Sequence, residues 1–150
     1  MPKVRVEKII KAEKDRVFSI ITDFENLPSK LPQIFKSIKI ISRDDHSITT
    51  EESVRMAGRD ITQKVRHVLY PSHKHEVFIL EGDAKGSHIV ETYEKTSGGT
   101  KIIVDGDFKL AGKLGLLGFI AKLKIEQNIS EIMDEFAILL MSDSINDEKI

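Results

Sequence analysis

At 150 residues the chain is long enough to bury a sizeable core as one domain. Its 23 basic and 24 acidic side chains nearly cancel, so the basic excess of a nucleic-acid binder is missing. Without cysteine there is neither a disulfide framework nor a thiolate nucleophile, which fits a cytoplasmic location. The first residues alternate charge with valine and carry no apolar signal core, and the apolar stretch Leu110 to Leu123 is interrupted by Lys113 and Lys122. That stretch is too short to span a bilayer, so stable membrane insertion is not expected.

Lys3 to Lys11 reads as a strand, with Val4 and Val6 alternating against charged neighbours. Glu13 to Thr22 reads as a helix whose apolar side is Val17, Phe18, Ile20 and Ile21. Pro28 and Pro32 limit Phe24 to Ile34 to a short helix or turns. Six strand-like runs follow without a helix between them: Phe35 to Ser42, His46 to Met56, Arg59 to Tyr70, His73 to Glu81, Lys85 to Lys95 and Thr100 to Leu110. Turn residues such as Asp44-Asp45, Ala57-Gly58, Pro71-Ser72 and Gly98-Gly99 separate them. A long apolar helix, from about Lys113 to Ser142, closes the chain, and Asp143 to Ile150 is expected to fray. An antiparallel meander has one face to bury, and this helix is the late element able to cover it, which gives an α+β architecture.

Tight turns let the hairpins be registered against one another. The expected pairs are Ile48 with His67, Glu52 with Gln63, His67 with His75, Val65 with Val77, Val77 with Glu91, His75 with Tyr93, and Tyr93 with Val104. Paired residues share a face. One face is then mostly apolar and includes Val54, Val65, Val77, Ile79, Ile89, Val104 and Phe108. The same face carries Glu52, Gln63, His67, His75, Glu91 and Tyr93. Burying such groups alone is costly, so they must pair, reach water or meet a ligand. An aliphatic wall with a few polar anchors is the usual make-up of a small-molecule site. The plainer alternative leaves these groups wet at the open ends of the sheet.

Other motifs are weaker. His73, His75 and His67 have a loose metal-like spacing, but no acidic or cysteine motif accompanies them, so turn and rim histidines are the better reading and no metal is expected. Nothing in the chain demands a cofactor. Gly112, Gly115 and Gly118 do not have phosphate-loop spacing. With Leu116, Leu117, Phe119 and Ile120 around them, they suit a gate at a cavity mouth, a transient membrane contact, or ordinary core packing. No feature fixes the oligomeric state.

The run Val17-Phe18-Ser19-Ile20-Ile21-Thr22-Asp23-Phe24-Glu25-Asn26-Leu27-Pro28 and the hairpin Gly98-Gly99-Thr100-Lys101-Ile102, with the apolar entry to the closing helix, resemble the START-like (SRPBCC) helix-grip superfamily. That group includes polyketide cyclase/dehydrases, coenzyme Q-binding proteins, birch-pollen-allergen-like proteins and lipid-transfer domains. The resemblance covers Lys3 to Met141. It implies a seven-stranded curved antiparallel sheet, in the order 2-3-4-5-6-7-1, wrapped around the long C-terminal helix, with two short helices between the first two strands. It carries over no catalytic residue.

The leading expectation is a binder or transporter of a hydrophobic small molecule, such as a lipid, quinone, isoprenoid or polyketide-like compound. Its cavity would lie between sheet and helix and be lined by Glu52, Val54, Gln63, Val65, His67, His75, Val77, Ile79, Ile89, Glu91, Tyr93, Val104 and Phe108. Gly112, Leu116, Leu117, Phe119 and Ile120 would form the gate. One alternative is a cyclase or dehydratase, with Glu91 raised in pKa by burial and His67 or His75 as general base beside Tyr93. The other is a cavity-poor module that contacts a protein or the ribosome.

Overall fold

The computed structural model describes residues 3–56, 58–110 and 118–148, the side chains of 118–119 and 143–148 excepted. In chain order the elements are β1 (Lys3–Ile10), α1 (Lys14–Ile21), α2 (Leu27–Lys30), β2 (Phe35–Arg43), β3 (Ser47–Met56), β4 (Arg59–Tyr70), β5 (Lys74–Glu81), β6 (His88–Thr96), β7 (Gly99–Asp107) and α3 (Gly118–Glu148). The strands form one antiparallel sheet in the order β1-β7-β6-β5-β4-β3-β2. This is the helix-grip topology.

The two-residue period of each strand sends its aliphatic residues to one face. Val4 and Ile10 of β1, Ile48 and Val54 of β3, and Ile102 and Val104 of β7 are all buried there. Register shifts in β2, between Phe35 and Ser37 and between Ile40 and Ser42, and in β5, where Leu80 is the extra residue opposite Lys64 and Val65, are bulges of the kind that bend a sheet. On α3, Ala121, Ile125, Ile129, Met133, Phe136 and Leu140 recur at helical spacing and are buried against the sheet. Each of the larger ones contributes roughly 1.5–3 kcal/mol through loss of contact with water. Lys8 of β1 adds an ion pair with Asp134 at 3.1 Å. The first two helices close one end: Val17, Phe18 and Ile21 of α1 join Phe24, Leu27 and Leu31 in the core. The Thr22 hydroxyl donates to the Phe18 carbonyl at 2.7 Å where α1 ends.

Three expected registers are corrected. Only the β3–β4 hairpin pairs as expected, with Glu52 opposite Gln63 and Ile48 opposite His67. Across β4–β5, His67 faces Val77 and Leu69 faces His75. The connection here spans Pro71 to His73, with Ser72 in the left-handed region at φ 64°. Across β5–β6, His75 faces Glu91 and Val77 faces Ile89, because the turn between Gly82 and Ser87 is wider than expected and β6 starts at His88 rather than Lys85. Across β6–β7, Tyr93 faces Ile102 and Glu91 faces Val104. Each slip is two residues along the partner strand, so every side chain keeps its face. The expected start of the closing helix near Lys113 lies outside the described residues. The backbone of α3 is helical as far as Glu148.

Candidate functional site

A cavity of about 350 Å³ lies between the inner face of the sheet and α3, a size within the usual range for small-molecule sites. Its wall is mostly apolar and takes Val54, Val77, Ile79, Ile89, Val104 and Phe108 from the sheet. Ile125, Ile129 and Met133 line it from α3, and Phe24 and Leu27 from the region of the short helices. Three charged residues on the wall, Arg59, Asp83 and Lys124, are exposed, which marks where the cavity meets solvent. They sit at the start of β4, in the β5–β6 turn and in the first turns of α3.

Away from this mouth a row of polar side chains crosses the inner face. It starts on β3, where the Thr50 hydroxyl donates to Glu52 Oε2 at 2.6 Å. His67 Nε2 lies 2.7 Å from the same oxygen. His67 Nδ1 is 2.8 Å from His75 Nε2, and His75 Nδ1 is 2.8 Å from Glu91 Oε1. The Tyr93 hydroxyl ends the row by donating to Glu91 Oε1 at 2.7 Å. The two histidines are diagonal neighbours on β4 and β5, a separation long side chains can span. Phe24 covers them, stacked on His67 at 4.0 Å and tilted on His75 at 5.6 Å.

The contacts limit the proton count. Carboxylates only accept, so His67 Nε2 and His75 Nδ1 must each carry hydrogen. At 2.8 Å there is room for at most one further hydrogen between His67 Nδ1 and His75 Nε2. The two rings therefore carry at most one positive charge between two carboxylates, and the row keeps a surplus negative charge. Burial pushes the His67 imidazole below its ordinary value, against the opposing pull of Glu52. Burial acts to raise the Glu52 carboxyl, but the hydrogen bond and charge of His67 and the Thr50 hydroxyl outweigh it and leave it lowered. Glu91 is likewise lowered, because the charge and hydrogen bond of His75 and the Tyr93 hydroxyl overcome burial. This corrects the raised Glu91 expected of a catalytic acid. The Tyr93 phenol is pushed well above its ordinary value by burial and by the neighbouring Glu91 charge.

Each carboxylate has an oxygen left over. Glu52 Oε1 and Glu91 Oε2 have no hydrogen-bond partner among the described residues, and neither is sealed from open space; Asp107 Oδ1 is the sealed, unpartnered side-chain atom there. Both glutamates line the cavity, as does Gln63, opposite Glu52.

The structure brings Glu52, Val54, Gln63, His67, His75, Val77, Ile79, Ile89, Glu91, Val104 and Phe108 to the cavity wall. Tyr93 and Val65 are corrections, since both are buried on the inner face but do not line the cavity. Tyr93 sits behind Glu91 with its ring edge-on to Phe18 at 5.1 Å. Val65 packs with Ile79 and Ala84. Gly112, Leu116, Leu117 and the Phe119 side chain lie outside the described residues. Ile120 is described and is no part of the wall: it is 52% exposed, one position off the inward stripe that starts at Ala121. His73 stands apart from the other two histidines, with Nδ1 3.3 Å from Lys14 Nζ.

Sequence reasoning missed Phe24, Arg59, Asp83 and Lys124. The available signals were an aromatic residue directly after the α1 stop, charges at two turns, and a lysine interrupting an apolar helix face.

The sequence matches the model of the family described as polyketide cyclase/dehydrase and lipid transport over residues 1–137. None of the curated proteins gives a match. Among solved structures, the chain is similar to a protein from Thermus thermophilus, with TM-score 0.82, 18% identity, and 95% of this chain and 99% of that one covered. It is also similar to a START superfamily protein from Mycobacterium smegmatis, with TM-score 0.72, 18% identity and coverage of 94% and 95%. A third is the Zhui aromatase/cyclase from a Streptomyces species, with TM-score 0.73, 16% identity and coverage of 94% and 93%. At these identities the likeness concerns the fold alone, while the family match extends over most of the sequence. The chain belongs to the polyketide cyclase/dehydrase and lipid transport family.

Proposed function

We propose that the protein binds, and carries or presents, a hydrophobic small molecule in the cavity between the sheet and α3. One observation carries this: a cavity of about 350 Å³ whose wall is aliphatic and aromatic except for one organised polar row. Burying roughly 200–300 Å² of apolar ligand surface contributes about 5–8 kcal/mol before the entropy of association is subtracted. That opposing term limits the net affinity. Among the described residues no helix is long and apolar enough to cross a membrane.

Two measurements test the role. Native mass spectrometry of gently purified protein should show a co-purifying apolar compound, and the neutral dye N-phenyl-1-naphthylamine should bind saturably. No bound compound and no saturable dye uptake would overturn it. A cavity of this size also speaks against the cavity-poor interaction module.

The row favours a second reading, a cyclase or dehydratase. A pair of imidazoles held between two carboxylates beside a cavity is equipped for general acid–base chemistry. A Glu91→Gln variant that kept affinity for a poly-β-ketone but lost its conversion would favour this reading; unchanged conversion would count against it.

A further inference from the structure

On the binding role proposed above, we infer that the deep end of the cavity selects ligands by a hydrogen-bond donor, a hydroxyl or an ammonium group, and rejects carboxylate heads. What the row leaves uncommitted carries this. Its internal contacts use Glu52 Oε2 and Glu91 Oε1 and all four imidazole nitrogens. The Thr50 and Tyr93 hydroxyl hydrogens are spent on the same two carboxylates. What the row itself leaves unpaired at the cavity is therefore acceptor, Glu52 Oε1 and Glu91 Oε2, while the Gln63 carboxamide opposite Glu52 offers both a donor and an acceptor.

The charge points the same way. Two carboxylates flank a histidine pair that holds at most one positive charge, so the row presents a surplus negative charge to an apolar enclosure where water screens poorly. An apolar ligand covering these oxygens without a donor would strip their hydration and return nothing. A carboxylate would add like-charge repulsion. A hydroxyl donates one hydrogen bond to a charged acceptor, and an ammonium adds a compensating charge. The exposed Arg59 and Lys124 place the positive groups of the wall at the mouth, so an acidic substituent is tolerated there and not beside the row.

The test is a set of four ligands sharing one apolar body: 4-hexylphenol, 4-hexylbenzylamine, 4-hexylanisole and 4-hexylbenzoate, titrated calorimetrically into the intact protein near neutral pH. At least one of the two donors should bind about tenfold or more tighter than the anisole and the benzoate. If the anisole or the benzoate matches both donors, donor selection is overturned while the binding role stands. If none of the four binds, the binding role fails and this inference with it. The exposed Asp83 at the mouth is the competing acceptor. An Asp83→Asn variant should keep the donor preference, and loss of the preference in that variant would overturn the assignment to the deep row.

Discussion

Strands β5 and β6 carry two Glu–His pairs of nearly equal length on opposite faces of the sheet. Inside, His75 and Glu91 meet at 2.8 Å with side chains 4% and 13% exposed. Outside, His88 and Glu76 meet at 3.0 Å with side chains 43% and 16% exposed. The outer pair is shared with Lys74, 3.0 Å from Glu76, and His88 lies flat on Phe78 at 4.5 Å. The inner pair continues through His67 to Glu52 and Thr50 and ends on Tyr93. Distance does not separate the two. What separates them is whether water can replace a missing partner.

The largest expected effect follows from that difference. His75→Ala removes the link between His67 and Glu91 and leaves the buried Glu91 carboxylate with the Tyr93 hydroxyl but no cationic partner. Breaking a buried pair from one side costs about 3–5 kcal/mol, so the urea midpoint should fall by more than about 1 M. An unchanged midpoint would mean that water reaches the row and that the inner and outer pairs are equivalent.

A second effect tests the hollow beside the row. Gly106 on β7 lies between Val4 of β1 and Ile89 of β6. A Cβ there would run into the Phe108 ring, with Val4 Cγ2 3.2 Å away on the other side. In Gly106→Ala the ring must turn, and it is part of the cavity wall. Overpacking of this kind costs about 1–3 kcal/mol. Uptake of N-phenyl-1-naphthylamine should also weaken; uptake at wild-type affinity would show that the dye sits elsewhere.

The inner face was legible in the sequence because parity survives errors that register does not. His67 was expected opposite His75 and stands opposite Val77, yet the two imidazoles still meet, because a slip of two residues leaves the face unchanged. Glu52, Gln63, His67, His75 and Glu91 reached the wall on that reasoning alone. What parity could not supply was depth. Tyr93 shares the face but lies beneath Phe18, and Phe24 reaches the histidines from a connection whose direction no periodicity encodes. Thr50 went unremarked because a threonine in a strand is ordinary, and its role appears only once Glu52 and His67 converge on it.

Acid should separate the faces further. His67 is held below its ordinary value, so unfolding takes up a proton as pH falls through about 6.5, the unfolded value, and stability declines from there toward its folded value. Glu52 and Glu91 are lowered too, so their contribution is present above the ordinary carboxylate range and is lost as pH falls through their folded values. All three contributions have the same sign: the protein weakens with acid, first through the histidine and then through the carboxylates. Urea midpoints should fall from about pH 7 to about pH 4, and His67→Gln should remove the upper part of the slope. A wild-type midpoint flat between about pH 7 and pH 5 would mean that His67 titrates alike in the folded and unfolded chains.

The smallest effect is expected outside. Glu76 is also lowered, by hydrogen bonds from Lys74 and His88 that outweigh the effect of burial. The His88 side chain is 43% exposed, so water and salt screen its share of that interaction. His88→Ala should therefore cost less than about 1 kcal/mol, and adding salt should shrink the difference from wild type. Ligand affinity should not move, because Phe78, His88 and Glu76 are absent from the cavity wall. A loss as large as that of His75→Ala would show that the stack on Phe78, rather than the ion pair, holds this part of the sheet. The inner row would then owe less to its burial than the comparison assigns it.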